Sequence, residues 1–152
     1  MENGADFGIL LGLSFQTFSD ELRAELASSG FDDLGGAYGY VFRALSQEPL
    51  HLNELAERLG MTAQGASKIV SEMEARKYVE RRPDPEDGRA KRLRLTARGR
   101  AALGFARKFH AQYERRLSAE VGERQVATLR RVLESMLTRS GKDASTALLR
   151  AF

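Results

Sequence analysis

The fold is decided by the stretch LNELAERLGMTAQGASKIVSEMEARKYVERRPDPEDGRAKRLRLTARG, residues 52–99. Its first half predicts two short helices joined by a tight turn. Asn53 is placed to cap the first helix, and Gly60 suits the left-handed conformation that ends it. Thr62 can then cap a second helix over about residues 63–76, so the pair forms a helix-turn-helix. The apolar residues at helical spacing are Leu55, Ala56, Leu59, Ala66, Ile69, Val70 and Met73.

The second half of the stretch predicts a β-hairpin. Residues 78–82 and 91–95 alternate apolar with charged side chains, as strands do, and residues 83–90 form the turn between them. In that turn Asp87 can accept backbone hydrogen bonds and Arg89 projects outward from the tip. A hairpin that follows a helix-turn-helix is a wing, so this half completes a winged helix.

Amphipathic helices flank the winged unit on both sides. Apolar residues recur three and four positions apart over about residues 9–26, and again from Tyr38 until Pro49. Thr96 can cap a long helix that Gly122 breaks, and a last helix runs until Gly141. The expected fold class is mainly α, a winged helix-turn-helix with a two-stranded β-hairpin wing and terminal helices that form a dimerisation domain.

The expected domains are residues 1–36 together with 97–152 for the helical dimerisation region, and residues 37–96 for the winged helix-turn-helix DNA-binding domain. The terminal helices carry more apolar residues than a small winged core needs, which predicts self-association as a homodimer. These residues are Phe15, Phe18, Leu22, Leu129, Val132, Leu133, Met136 and Leu137, followed by an apolar tail at Leu148, Leu149 and Phe152.

The positive charge of the chain is concentrated in one segment. Arg76–Arg100 holds ten Lys/Arg against four Asp/Glu, while the whole chain has a formal charge of only +3. A basic hairpin of this kind is typical of a surface that binds a polyanion, and double-stranded DNA is the leading partner. The flanking cations either bind phosphates or pair with Glu80, Asp84 and Glu86; they are Arg81, Arg82, Lys91, Arg92 and Arg94.

The outward face of the second short helix also suits DNA. Gln64, Gly65, Ser67 and Lys68 are small or hydrogen-bonding, so the backbone could approach the major groove while the longer side chains reach base edges or phosphates. The alternative is an ordinary helical hairpin with a solvated face. For Arg89 the alternatives are entry into the minor groove and a solvated arginine in a surface turn.

Several function classes are disfavoured by composition. The chain of 152 residues has no cysteine, which excludes disulfides and thiolate metal clusters, and its two histidines, His51 and His110, lack metal-ligand spacing. We therefore expect no cofactor and no metal. The sequence shows no catalytic constellation, no apolar run long enough to span a membrane and no secretion signal, so we expect a soluble cytoplasmic protein that is not an enzyme.

With these motifs in residues 52–99, including Asp87 and Arg89 as an Asp-x-Arg wing signature, the sequence resembles the MarR (multiple antibiotic resistance) family of transcriptional regulators. The resemblance implies an obligate dimer in which each winged unit docks on half of a pseudo-palindromic operator. Gln64, Ser67 and Lys68 would read the major groove, Arg89 the minor groove, and Asp87 would brace the wing. The DNA-binding residues so expected are Thr62, Gln64, Gly65, Ser67, Lys68, Arg81, Asp87, Arg89, Lys91 and Arg92.

The sequence departs from the family pattern at two positions. Gly65 lies within the recognition helix, at a cost of roughly 1 kcal/mol relative to alanine. Lys77 stands where the family usually has glycine, so a lysine must adopt a helix-ending conformation that glycine adopts more easily. Family members often bind a small aromatic effector between the dimerisation helices and the winged unit, and the residues that would border such a site are Tyr38, Phe42, His110 and Tyr113. The alternatives are ordinary core packing for Phe42 and a surface or packing histidine for His110.

These features favour a homodimeric, sequence-specific DNA-binding regulator, most simply a repressor that blocks promoter access and is released by an effector. Two alternatives share the winged shape. One is a DNA-binding protein with little sequence preference, and the other is a protein-interaction module whose basic hairpin meets an acidic protein surface. Enrichment of a specific duplex would separate the regulator from both.

Overall fold

The structure is a computed structural model that describes residues 4–139. Contacts divide the chain into two compact units, Met1–Leu34 and Gly35–Phe152. The predicted end of the last helix at Gly141 and the predicted tail lie outside the described residues. The elements in chain order are α1 (Phe7–Ser28), α2 (Tyr38–Gln47), α3 (Leu52–Leu59), α4 (Ala63–Ala75), β1 (Val79–Pro83), β2 (Lys91–Leu95), α5 (Ala97–Val121) and α6 (Glu123–Arg139).

The first unit contains α1, which extends the predicted helix by about two residues at each end. Its final turn closes with the backbone N–H of Phe31 donating to Leu26 at 2.9 Å, while Gly30 adopts a φ of 89°. The helix leaves several large apolar side chains exposed, which are Phe7, Ile9, Leu10, Leu13 and Phe15. None of the helices in residues 4–139 has the length and apolar character that crossing a membrane requires.

The second unit contains the other seven elements, and its core is built around Tyr78, which is 0% exposed. The rings of Tyr38, Phe42 and Tyr78 meet edge to face, with centroids 5.6 to 6.4 Å apart. Aromatic rings prefer this geometry because the positive edge of one ring meets the negative face of the next. Burying each large apolar side chain contributes roughly 1.5–3 kcal/mol, so this cluster anchors α2 to the connection between α4 and β1.

The predicted caps of the helix-turn-helix are confirmed in part. Gly60 ends α3 in the left-handed conformation with φ 63°, and Thr62 Oγ1 accepts the backbone N–H of Gly65 at 3.0 Å at the start of α4. Thr96 caps α5 in the same way, accepting the N–H of Gly99 at 3.0 Å. Helix α4 packs Ala66, Val70 and Met73 into the core, whereas Ile69 is only half-buried.

The prediction that Asn53 caps the first short helix is wrong. Helix α3 begins at Leu52, so His51 occupies the N-cap in an extended conformation and Asn53 is already helical. The reason lies outside the helix: Leu50 forms an isolated antiparallel bridge with Leu93 of β2, with backbone hydrogen bonds of 3.1 and 2.7 Å. This pairing fixes the chain one residue before the cap, and the carboxylate of Glu54 accepts the backbone N–H of His51 at 3.0 Å.

The wing is confirmed as an antiparallel hairpin. Strand β1 is shifted one residue toward the tip relative to the prediction, and its pairing with β2 runs from Val79↔Leu95 at the base to Pro83↔Lys91. The apolar side chains Val79, Leu93 and Leu95 are buried, whereas Glu80 and Arg81 are half-buried and Arg82 and Arg94 are exposed.

The connection from α4 to β1 requires a left-handed residue, as the sequence predicts. Lys77 has φ 64°, the only positive φ at a non-glycine residue in the described chain. Its neighbour Tyr78 donates its N–H back to Met73 at 2.8 Å, and the carbonyl of Lys77 accepts the hydroxyl of Thr96 at 2.5 Å. These bonds hold the strained residue in place.

Helix α6 presents an apolar face that the described chain leaves open. Val126 is buried, but four apolar residues further along the helix are 40 to 46% exposed. They are Leu129, Val132, Leu133 and Met136, and their spacing of three and one residues keeps them on one side of the helix.

Candidate nucleic-acid interface

The first half of α4 forms an uncharged, exposed face with one cation. Gln64 and Lys68 are exposed, Gly65 and Ser67 are half-buried, and residues 63–70 contain no acidic side chain. Lys68 makes no ion pair within the described part of the chain. Because the N-terminus of a helix carries partial positive charge, this face is electrostatically suited to an anion such as a phosphate.

The packing around Gly65 favours a residue without a Cβ, which the sequence alone did not show. A Cβ added at this position would meet Thr62 Oγ1 at 3.2 Å and the terminal methyl of Met61 at 3.3 Å. The glycine therefore lets the turn close tightly over the start of α4. A larger residue at this position would require Thr62 Oγ1 or the Met61 methyl to shift by a few tenths of an ångström.

The wing tip is ordered by carboxylates. Asp87 Oδ1 accepts the backbone N–H of Arg89 at 3.0 Å, and its carbonyl accepts the N–H of Ala90 at 3.0 Å. Gly88 does not adopt a positive φ, and a Cβ there would meet nothing within 4 Å, so the turn does not depend on glycine. Arg89 itself is exposed, and its side chain forms no ion pair among residues 4–139.

The sequence named Asp84 only as a possible partner of the wing cations; its burial and its contact with His51 were not predicted. Asp84 is 5% exposed, the only buried charged residue in the described part of the chain. Its Oδ2 accepts the Nε hydrogen of Arg92 at 3.0 Å and lies 2.7 Å from Nε2 of His51, while Oδ1 accepts the N–H of Glu86 at 2.9 Å. The Glu86 hydrogen bond, with those from His51 and Arg92, holds the pKa of Asp84 below its ordinary value despite burial. Its partners come from three segments, so no local pattern marks it.

The wing cations fall into two groups. Those nearer the base are paired: Arg81 with Glu74 at 3.1 Å, and Arg82 and Arg94 with Glu80 at 3.1 and 2.7 Å. Hydrogen bonds from Arg94 and then Arg82 lower the pKa of Glu80. Near the tip, Arg89 and Lys91 have no such partner in the described chain. Because exposed ion pairs contribute only about 0–1 kcal/mol, a phosphate could displace a carboxylate from the paired arginines.

The four residues proposed to border an effector site do not line one described cavity. Tyr38 and Phe42 belong to the buried aromatic cluster, and the Tyr38 hydroxyl accepts a hydrogen bond from Arg76 at 2.7 Å. His110 and Tyr113 lie on α5 beside Phe109, and burial, reinforced by the nearby charge of Arg43, lowers the pKa of His110.

A separate cavity of about 480 Å³ opens between α2, β2 and α5. Its walls combine apolar side chains with three arginines. The lining residues are Leu45, Ser46, Pro49, Arg94, Leu95, Arg100, Leu103, Gly104 and Arg107. None of the four residues expected from the sequence is among them. Among residues 4–139, no cluster of three or more His, Asp or Glu side chains is arranged to hold a metal ion.

Comparison with known sequences identifies the winged region. A sequence model of the MarR family matches residues 32–90, which include α2, α3, α4, β1 and the loop at the wing tip. The winged region, residues 32–90, belongs to the MarR family. The resemblance noted from the Asp-x-Arg wing and the helix-turn-helix is thereby confirmed, and the family and fold neighbours are transcription regulators, which supports the prediction that the chain is not an enzyme.

One curated relative is the exopolysaccharide II synthesis transcriptional activator ExpG of Rhizobium meliloti (strain 1021), which is 33% identical to this chain over 101 residues. The match covers 66% of the chain, which spans about half (52%) of the length of that relative. The aligned part is thus long enough to include a winged domain, while half of the relative lies outside it.

Solved MarR-family structures share the fold. FabT of Streptococcus pneumoniae, solved in complex with DNA, superimposes with a TM-score of 0.71 at 18% identity, covering 90% of this chain and 98% of that one. The reduced form of MarR from E. coli gives a TM-score of 0.69 at 22% identity, covering 90% and 99%. At these identities the likeness establishes the winged fold with its flanking helices.

Proposed function

We propose that this chain is a transcriptional regulator that binds duplex DNA sequence-specifically as a homodimer. The observation that carries the proposal is the pairing, within one compact unit, of the acid-free face of α4 with a wing tip whose Arg89 and Lys91 lack carboxylate partners in the described chain. A surface that only needed solubility would balance these cations, since interspersed charges of both signs keep surfaces soluble.

In this proposal α4 enters the major groove. Gln64, Ser67 and Lys68 contact base edges or phosphates, because their side chains are the exposed or half-exposed ones on the first two turns. Thr62 and Gly65 keep the start of the helix compact, so that the backbone can approach a phosphate closely.

The wing supplies contacts beside the same half-site. Arg89 enters the minor groove and Asp87 holds its backbone, while Lys91 binds a phosphate. Arg81 and Arg92 bind phosphates by exchanging or sharing their carboxylate partners. If five or six phosphates are bound per protomer, the logarithm of affinity falls with the logarithm of salt with a slope of about −0.9 per contact.

A homodimer would bury the apolar faces that each unit leaves open. These are the exposed side chains of α1 and the stripe Leu129, Val132, Leu133 and Met136 on α6. Contiguous apolar surface of this kind is rare on monomers. A two-fold symmetric dimer would place two winged units on the two halves of a pseudo-palindrome.

The regulatory sign is proposed as repression, in which occupancy of the operator blocks access to the promoter. Activation is the second candidate, because the relative from Rhizobium meliloti is a transcriptional activator. A promoter reporter measured with and without the chain separates the two. Loss of the gene raises expression under repression and lowers it under activation.

A small aromatic effector that releases DNA remains part of the proposal. Two of the residues expected to border its site, Tyr38 and Phe42, are buried in the aromatic cluster, so an effector has little access to them. The cavity between α2, β2 and α5 is the more accessible space, with Arg94, Arg100 and Arg107 beside leucines. An effector acts only if it binds one arrangement of the two winged units better than another.

The experiment that tests the function is selection of bound duplexes from a randomised DNA library at near-physiological salt, followed by sequencing. An enriched inverted repeat with half-sites about one helical turn apart supports a sequence-specific dimer. Binding without enrichment would replace it with a non-specific DNA-binding protein. Absence of DNA binding, together with capture of an acidic protein by the wing, would replace it with a protein-interaction module.

A further inference from the structure

Helix α4 carries a ridge of side chains on the side opposite its buried face. The buried residues of the helix are Ala66, Val70 and Met73. At about 100° per residue, Gln64, Lys68 and Ser71 lie on the other side of the helix, and all three are exposed. When such a helix enters the major groove, this outer ridge faces the base edges at the floor of the groove, whereas the flanks of the helix face the phosphates of its walls.

The residues beside the outer ridge are small. Gly65 has no side chain and Ser67 has a short one, and they flank the ridge on its two sides, half-buried. Neither would hold the helix away from DNA. Ser71 is also short, so Gln64 and Lys68 are the two long side chains that the first turns of α4 present to a groove floor.

Neither long side chain is engaged elsewhere in the described chain. Among residues 4–139, the side chains of Gln64 and Lys68 form no hydrogen bond and no ion pair. The last turn of α4, in contrast, carries Glu72 and Glu74, and Glu74 pairs with Arg81 of the wing at 3.1 Å. Because carboxylates repel phosphates, the part of α4 that suits the groove ends before Glu72.

The hydrogen-bonding groups of the two long side chains differ, and so do the bases that suit them. A lysine ammonium has three donors and no acceptor, whereas a glutamine amide has both kinds of group. In the major groove guanine presents two acceptors, N7 and O6, while adenine presents the acceptor N7 beside the donor N6. Lys68 therefore matches guanine and Gln64 matches adenine, each through two hydrogen bonds.

We propose that Gln64 and Lys68 are the specificity-determining residues of α4, and that they select an adenine and a guanine about one to two base pairs apart in each half-site. Four residues of a helix rise about 6 Å, and one base pair rises about 3.4 Å, which sets this separation. The inference rests on the proposed function, since it concerns the duplex that the chain binds.

The test repeats the selection from a randomised DNA library with variants at the two positions. The wild type should enrich half-sites with an adenine and a guanine at this separation. Gln64→Ala should lose the preference at the adenine position only, and Lys68→Ala at the guanine position only. Lys68→Gln should select adenine where the wild type selects guanine, and Gln64→Lys should select guanine where the wild type selects adenine. Lys108→Gln removes a positive charge from an exposed position on α5 and, as the matched control, should select the wild-type motif.

Fluorescence anisotropy with a single changed base pair gives the magnitude. Replacing the selected G·C pair by A·T should weaken binding of the wild type by about fivefold or more. Lys68→Gln should bind the changed duplex at least as tightly as the original one. If Lys68→Gln instead weakens binding of both duplexes equally and keeps the wild-type order, Lys68 contacts a phosphate and the proposal is overturned.

The outcomes distinguish failure of the base preference from failure of the proposed function. If no duplex is enriched, sequence-specific binding fails, and the base preference fails with it. If a motif is enriched but stays the same in every variant at Gln64 and Lys68, the proposed function stands and the specificity role fails. Thermal unfolding of each variant checks the fold, and if Gln64→Lys does not fold, the two alanine variants still decide.

Discussion

The carbonyl oxygen of Tyr78 lies against the α-carbon of Gly99, so close that an added Cβ would overlap it. That oxygen cannot move away freely, because it accepts the N–H of Thr96 at 3.1 Å. The contact joins the buried aromatic cluster to the first turn of α5.

Gly99→Ala is therefore expected to lower the free energy of unfolding by about 1–3 kcal/mol through overpacking against the backbone. Gly104→Ala is the matched control on the same helix, since a Cβ there meets nothing within 4 Å. That variant should be neutral or more stable by up to about 1 kcal/mol. Urea unfolding measures both, and equal stability of the two variants would contradict the close approach.

The left-handed conformation of Lys77 is strained for a residue with a Cβ. Lys77→Gly is therefore expected to raise the free energy of unfolding by about 0.5–1 kcal/mol. The gain is limited because glycine also loses more backbone freedom on folding. Lys108→Gly, at an exposed position inside α5, should instead be destabilising by about 1 kcal/mol. Urea unfolding measures both variants. A higher free energy of unfolding for Lys77→Gly and a lower one for Lys108→Gly support strain at Lys77, whereas a lower value for both would contradict it.

Arg89→Ala should weaken binding of the selected duplex several-fold or more and should reduce the salt slope by about 1, with dimerisation unchanged. The reason is the exposed tip position with no carboxylate partner in the described chain. Arg115→Ala removes the same charge from an exposed position on α5 and serves as the control. Fluorescence anisotropy over a salt series makes the comparison. Unchanged affinity in Arg89→Ala would mean that the tip stays out of the groove.

Leu133→Glu should shift the chain toward monomer, because Leu133 lies in the apolar stripe of α6 and is 40% exposed. A buried carboxylate without a partner is costly at an interface. Ala127→Glu adds the same charge at an exposed position on another side of the same helix. Sedimentation velocity at several concentrations distinguishes the species. Identical behaviour of both variants and the wild type would exclude this stripe from the interface.

Acid should destabilise the wing. Folding lowers the pKa values of Glu80 and Asp84. Their contribution to the free energy of unfolding is therefore fully present above the pKa values of the unfolded chain, and it is lost as the pH falls through the lower pKa values of the folded chain. The free energy of unfolding should therefore decline below about pH 4. Glu80→Gln and Arg94→Ala, which remove the carboxyl or its first hydrogen-bond donor, should each flatten this decline in urea unfolding between about pH 3 and 6. Acid profiles left unchanged by both substitutions would contradict the assignment.

Local chemistry explains which elements could be predicted from the sequence. The caps at Thr62 and Thr96 and the left-handed Gly60 depend on residues within four positions of each other, so their pattern is visible in one dimension. The alternation of apolar and charged residues in β2 is equally local. Such features specify the winged fold before any long-range contact is known.

The errors come from contacts between distant segments. Asn53 is intrinsically a better cap than histidine, but the Leu50–Leu93 bridge determines where α3 begins. Likewise, the sequence offers Asp84 as a possible partner of Arg92, but only the fold brings His51 to the same carboxylate. The pairing of wing arginines with carboxylates was anticipated only as an alternative to phosphates, with Glu80, Asp84 and Glu86 as partners, and the Glu74 partner of Arg81 was not predicted.

The Leu50–Leu93 bridge connects the wing to the helix-turn-helix. Two backbone hydrogen bonds tie Leu50, two residues before α3, to Leu93 in the middle of β2, so they oppose hinging of the wing base relative to α3. In the proposed complex with DNA, α4 and the wing would therefore contact one half-site as a single unit. Base pairs inserted between the major-groove and minor-groove contacts of one half-site could not be accommodated by a swing of the wing base, whereas the separation of two half-sites depends on a different part of the assembly.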